Sequence, residues 1–284
     1  MNPATIVKLV LLLGIVLLVV GIGIRARLEQ PLLLLRKPAL ALRAMVAMYV
    51  VMPAFVLLLV QLVPLRAGVG AVLLGFAVSP VLPPWAKKGA AVGGHDDYVI
   101  GLQVLSSVVA LLVVPLMIWI GFRMFGVATT LDPLAVETVL LVTVAAPLAL
   151  GMGITRFYPG AAPRLGAVAD RVGGVLLLLG VVVLLIVNGG AILGAIGQGT
   201  LVVTVAVVLF GLLVGHLLGG PDPGNRGALA SASVLRHPAI ALVLASGAFP
   251  EHEATVLGAV LLYLLTSLLL SVPYERWRKS VISA

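Results

Sequence analysis

Long apolar runs, separated only by short polar or proline-rich breaks, dominate this chain: about 5–24, 40–63, 67–94, 98–122, 135–155, 172–192, 199–218, 226–249 and 255–273. A helix crosses the roughly 30 Å hydrocarbon core of a bilayer with about 20 apolar residues, so each run suffices for one crossing. The expected fold class is an all-α membrane protein of about nine transmembrane helices, one domain over 1–284. With 62% hydrophobic and 10% charged residues, a soluble protein is excluded, and the polar remainder is too short for a separate soluble domain. The first run is long for a secretory h-region and lacks an obvious small-residue cleavage site, so it is expected to be retained.

The chain has no cysteine, which removes disulfides, thiolate catalysis and cysteine metal sites. Its net charge of +8 suggests nucleic acid until the cations are placed against the membrane. Lys and Arg concentrate in cytoplasmic loops. With the N-terminus outside and the C-terminus cytoplasmic, the inner segments collect Arg25, Arg27, Arg36, Lys37 and Arg43, then Arg156, Arg164 and Arg171, then Arg226, then Arg276, Arg278 and Lys279. Lys8, Arg66 and Arg123 stay outside, where Glu251, His252 and Glu253 form an acidic turn. The basic excess thus records orientation in a multi-pass inner membrane protein; the expected partner surface is the lipid bilayer, with no nucleic acid, and the oligomeric state stays open.

Three cations do not fit the loops: Lys87, Lys88 and Arg236. Counted at 1.5 Å per residue, Arg236 lies about 15 Å from Arg226 and Lys88 about 13 Å from Asp97, both near the midplane of the slab. A charge there costs at least about 2.5–3.5 kcal/mol and faces a wet cavity or a partner. Around the lysines, Pro80, Pro83 and Pro84 break the third crossing, and Pro238 after Arg236 and His237 interrupts the eighth. Unwound backbone at membrane depth survives only inside protein or beside water, and two interrupted helices in corresponding halves point to a transport site. Pro53, Pro115 and Pro147 are expected to kink their helices.

In order, the chain carries Met52 and Pro53, Ser79 and Pro80, Gly93, Gly94 and Asp97, then Ser106, Ser107 and Pro115; later, Arg226 opens a helix that breaks at His237 and resumes through Ala239, Ile240, Ala241 and Leu242. This series resembles the bile acid:sodium symporter superfamily. The resemblance implies two inverted repeats, about 1–126 and 133–284, a panel domain, and a core of about 67–122 and 199–273 with crossed broken helices. Nine segments instead of ten imply a version lacking the first helix of repeat one. Sodium-using members carry a Ser-Asn pair after the first crossover, a Glu in the second broken helix and a Gln before the first crossover. Here Trp85, Ala86, Lys87 and Lys88 follow the crossover, Ser231 to Leu235 holds no carboxylate, and Met48 stands at the Gln position. Sodium needs oxygen ligands and is repelled by fixed cations, so coupling through those sites is not expected. Lys87 or Lys88, with Arg236, would supply the positive charge that bound sodium supplies elsewhere.

Fixed cations and half-helix N-termini favour an anion, so the expected partner is a small organic anion, a carboxylate. The candidate binding set is Lys87, Lys88, Arg236, His237, Pro80, Pro238, Gln103, Ser106 and Ser107. Arg236 suits a bidentate fork and a lysine a point charge. His237 titrates near pH 6.5 when unperturbed, so a proton is a possible coupling ion; no other cofactor and no metal is expected. Gln103, Ser106 and Ser107 share one helix face, lining a cavity or bonding a neighbouring helix. Trp119, Trp277, Tyr158 and Tyr274 are expected as interface anchors. Asp96 and Asp97 suggest a rival cation/proton antiporter, against a plain helix cap; Glu137 suits a helix start, and a non-transporting receptor is the alternative of another class. Gly211, Gly215 and Gly219 signal close helix packing. Neither H-E-x-x-H nor G-x-S-x-G occurs, so an enzyme is not expected.

Overall fold

A computed structural model describes residues 3–26, 34, 36–125 and 138–283; Arg27, Glu137 and the expected repeat boundary lie outside these residues, as do the side chains of Lys8 and Arg123. The described residues form helices joined by short turns, without a strand. They are α1 (Pro3–Arg25), α2 (Pro38–Leu62), α3 (Val69–Val78), α4 (Trp85–Ala91), α5 (Asp96–Phe125) and α6 (Thr138–Phe157). There follow α7 (Ala162–Val187), α8 (Gly189–Ala195), α9 (Thr200–Leu218), α10 (Pro223–Val234), α11 (Pro238–Ala248) and α12 (Glu253–Ser283). Six of these, α2, α5, α6, α7, α9 and α12, contain stretches long and apolar enough to cross a membrane, and α1 carries a shorter apolar stretch, Leu9–Arg25. The third and eighth apolar runs fold as the broken pairs α3–α4 and α10–α11. The chain is an all-helical, multi-pass membrane protein.

The prolines act in two ways. Pro115 and Pro273 sit inside continuous helices. Pro53 and Pro147 each follow a five-residue π-helical stretch, Ala47–Val51 in α2 and Leu141–Ala145 in α6. A proline has no N–H, and a wide turn absorbs the break in the hydrogen-bond ladder. In α7 the helix begins at Ala162, about ten residues before the apolar run, so Arg164 and Arg171 ride on helix instead of loop. Hydropathy marks where lipid begins, whereas arginine is a good helix former and lets the coil extend past that line.

Small residues set the helix spacing. Gly14 of α1 lies against Gly173 of α7, and Gly23 of α1 against Gly151 of α6, so α1, α6 and α7 pack backbone to backbone. The largest buried cluster joins α2, α3, α5 and α9 to α12 through Met48, Phe76, Trp85, Leu229 and Tyr263. The glycine stripe of α9 seats it on α10: Gly215 lies against Ala230 and Gly219 against Arg226. The layer of α1, α6 and α7 meets α5 through a separate small cluster in which Val104 packs among Ile15, Val19 and Leu148. Outward faces stay apolar, as at Leu112, Leu178 and Ile186, which suits contact with lipid.

One end of the molecule is basic. There Arg25 pairs with Asp170, Arg278 donates to the Pro223 carbonyl, and Lys88 pairs with Glu275. At the other end Arg66 donates to the Gly194 carbonyl near the Pro250–His252 turn side. The halves α3 and α11 touch most closely at Gly75, where a Cβ would lie 2.5 Å from the Ala241 Cα. Gly75→Ala is therefore expected to destabilise the protein by about 1–3 kcal/mol, read as a lowered unfolding midpoint in detergent.

Candidate functional site

Both breaks fall at one place. After α3 the chain leaves the helix at Ser79, runs through Pro80 and Val81 to Leu82 and turns at Pro83 and Pro84 into α4, and after α10 it runs through Leu235, Arg236 and His237. The two linkers, more than 150 residues apart in sequence, form an antiparallel bridge between Val81 and Arg236. The Leu82 N–H donates to the Leu235 carbonyl and the His237 N–H to the Pro80 carbonyl, both at 2.9 Å. Each linker thereby satisfies backbone groups that its partner exposes, the condition for unwound chain at membrane depth. Gln103 of α5 adds a third tie, its Nε2 donating to the Val81 carbonyl at 3.0 Å.

Arg236 is 1% exposed. Its Nη2 donates to the Ala77 carbonyl at 2.9 Å and to the Met48 carbonyl at 3.4 Å, and its Nε to the Phe76 carbonyl at 3.2 Å. Phe76 and Ala77 lie in the last turn of α3, where the macrodipole is negative; the Phe76 carbonyl also accepts from the Ser79 hydroxyl at 2.9 Å, and the guanidinium adds its donors to cap that half-helix. The Met48 carbonyl comes from the π stretch of α2. In that register it would take an N–H from residue 53, which is proline and has none. The Tyr49 ring lies 5.0 Å from the guanidinium carbon, and the Tyr49 hydroxyl donates to the Ser106 carbonyl of α5 at 2.6 Å. One guanidinium thus joins α2, α3 and the second linker. Its Nη1 has no protein partner.

The other half-helix ends are held differently. The Tyr263 hydroxyl of α12 donates to the Val234 carbonyl at 3.1 Å, at the C-terminus of α10, and the Tyr263 ring stacks on Phe76. The indole of Trp85, 1% exposed, fills the start of α4 and donates to the Ser231 hydroxyl at 2.8 Å. His237 opens α11: its Nδ1 accepts from the Ala239 N–H at 3.3 Å, so a neutral ring carries its proton on Nε2, which is buried without a partner. Beside this helix start, Pro238 and Leu242 line an apolar crevice of about 200 Å³ closed by Leu11 and Ile15 of α1 and Leu177 of α7.

The crossing gathers Pro80, Gln103, Arg236, His237 and Pro238. Ser106 and Ser107 are buried, but both hydroxyls return to the Gln103 carbonyl of their own helix, at 3.0 and 2.8 Å. The lysines stand elsewhere, which corrects their expected midplane position. Lys87 is 69% exposed and lies 3.7 Å from Asp170, and Lys88 pairs with Glu275 at 3.0 Å, both at the basic end. The count along a helix from Asp97 fails because α4 stops at Ala91 and the chain turns at Gly93, whose φ is +88°. Asp96 and Asp97 occupy the first turn of α5. Tyr49, Tyr263 and Asp170 escaped the sequence reading, which named Trp85 without its bond to Ser231; only the Met52-Pro53 pair next to Tyr49 signalled that something in α2 departs from regular helix.

A family model described as the sodium bile acid symporter family matches residues 11–195. The chain belongs to this family. The match includes the first broken helix, while the second lies beyond it and is tied in by the hydrogen bonds above. No curated protein matches the sequence. Membership makes the protein a membrane transporter of the bile acid symporter type. In this symporter-family protein the buried guanidinium is a structural keystone, so Arg236→Met should cost about 2–5 kcal/mol of stability, measured by thermal unfolding; an unchanged midpoint would contradict the capping role.

Proposed function

We propose that this protein carries a small organic anion, a carboxylate with an apolar body, across the inner membrane by alternating access without sodium. The observation that carries the reading is Arg236, a permanent cation buried at the crossing of two broken helices and bonded to carbonyl oxygens. Carbonyl oxygens at a half-helix C-terminus are the ligands a hard cation seeks. A guanidinium already placed there repels a second cation and leaves its positive field for a substrate. The indole of Trp85 packs against Ser231 where a small polar ligand set would be needed.

The anion is drawn by the N-terminal ends of α4 and α11 and by the buried charge between them, with Arg236 Nη1 and His237 Nε2–H as unspent donors. Its apolar part enters the crevice at Pro238. Because that crevice lies between α1 and α7 on one wall and α11 and α12 on the other, sliding of the two helix sets exposes it to each side in turn. Positive charge marks the cytoplasmic side, which puts the basic end inside.

Purified protein in vesicles is expected to take up a labelled monocarboxylate equally with sodium or potassium outside; uptake that requires sodium would refute the coupling. The Lys87–Asp170 contact joins α4 to α7 across the two sets but is exposed, worth at most about 1 kcal/mol. Lys87→Gln should therefore retain more than half of the uptake rate, whereas complete loss would make Lys87 a substrate ligand.

A further inference from the structure

The helix α12 is longer than the membrane it crosses. Its 31 residues, Glu253–Ser283, span about 46 Å at helical rise against a hydrocarbon core of about 30 Å, so the stretch from Pro273 onward runs through the headgroup layer at the basic end. The neighbouring α9 has 19 residues, about 28 Å, and ends at that depth with His216, Leu217 and Leu218.

An aromatic cluster closes the seam between the two helices there. His216 Nδ1 lies 2.8 Å from the Tyr274 hydroxyl, and the Trp277 ring lies 5.5 Å from the His216 ring and 5.7 Å from the Tyr274 ring. The Arg278 guanidinium carbon sits 5.2 Å from the indole. Trp277 is therefore held against the seam although it is 49% exposed. Beside it, Leu213 and Leu217 of α9 and Leu269 of α12 are exposed. Leu269, Pro273 and Trp277 are spaced i, i+4 and i+8, and the exposed Arg276 is seven residues from Leu269. One face of α12 thus passes from hydrocarbon to an indole and a guanidinium as it leaves the membrane core. Arg226 and Arg278 are the charges that act on His216. The acidic residues of the same segments are spent elsewhere: Glu275 pairs with Lys88 at 3.0 Å, and Asp222 accepts from the Asn225 N–H at 2.8 Å.

We propose that this face of α9 and α12 is a site for one anionic phospholipid of the adjoining leaflet. Its phosphate meets the Arg276 guanidinium, whose planar fork matches phosphate oxygens. Trp277 lies at the glycerol level, where an indole keeps its ring among the chains and its N–H in the polar layer. One acyl chain follows Leu269, the other Leu213 and Leu217. A zwitterionic phospholipid brings an ammonium that the basic cluster repels, so the site selects net negative charge. This inference goes beyond the transport reading and does not depend on it.

The test uses the full chain in phosphatidylcholine vesicles holding a minor share of phosphatidylglycerol, with bromine on the acyl chains of one lipid or the other as a contact quencher of indole fluorescence. Trp119 also faces outward whereas Trp85 is buried, so the measurements are made on Trp119→Phe, in which Trp277 reports the lipid contact. At equal amounts, brominated phosphatidylglycerol should quench about five-fold more than brominated phosphatidylcholine. Adding Arg276→Gln should cut that excess below about two-fold, and Arg276→Lys, which keeps the charge, should retain most of it. Arg164→Gln, at an exposed arginine of α7, should leave it intact. Equal quenching by the two lipids overturns the inference. So does an excess that falls as far in Arg164→Gln as in Arg276→Gln, since the attraction is then diffuse, and so does a lack of quenching by either lipid, as when a second copy of the chain covers the face.

Discussion

The structure turns on the hydrogen-bonded crossing of two unwound linkers. Neither could exist alone inside a membrane protein, because each exposes backbone groups where water is scarce. Placed antiparallel, they satisfy one another through the Pro80 and Leu235 carbonyls, and Gln103 takes up the Val81 carbonyl that remains. The approach of the half-helices follows from this pairing: α3 and α10 arrive at the crossing by their C-terminal ends, and α4 and α11 leave it by their N-terminal ends. The negative helix ends and the positive ones are therefore gathered at one depth, and charge placed there acts on all of them.

Arg236 meets that field in an economical way. Burying a guanidinium is unfavourable by several kcal/mol unless its donors are used. Here the acceptors are carbonyls at helix irregularities: two from the last turn of α3, of which that of Phe76 is shared with Ser79, and one from Met48 that Pro53 cannot serve. The cation over Tyr49 adds a contact with an aromatic face. The proline of α2 and the arginine of the second linker thus complement each other, although one removes a donor and the other supplies it. The oxygens gathered at the crossing are thus already occupied by a fixed charge.

Polar residues at the basic end follow another rule. Lys87, Lys88 and Arg25 find carboxylates nearby in partly exposed ion pairs, whereas the buried Arg278 donates to the Pro223 carbonyl. Such partly exposed ion pairs contribute little stability. The Tyr98 hydroxyl, the Asn225 Oδ1 and the Arg278 Nε are buried there without a partner.

Much of this was legible along the chain. Apolar run length determined the all-α membrane class and its crossings, because backbone hydrogen bonding and bilayer thickness are local constraints. Proline clusters next to Lys87 and beside Arg236 located the two breaks, since a missing N–H acts wherever it occurs. What a charge does once buried is not local. Counting residues put Lys88 and Arg236 at one depth, but the turn at Gly93 sends the lysines to the basic end, while the linker pairing turns Arg236 onto α3 and α2. Tyr49 and Tyr263 carry no mark as single residues and Met48 is marked only by the Gln it replaces; their roles arise only when helices remote in sequence meet. Tertiary packing alone decided that the interior keeps Arg236, because only the folded chain brings the carbonyls of Phe76, Ala77 and Met48 within reach of it.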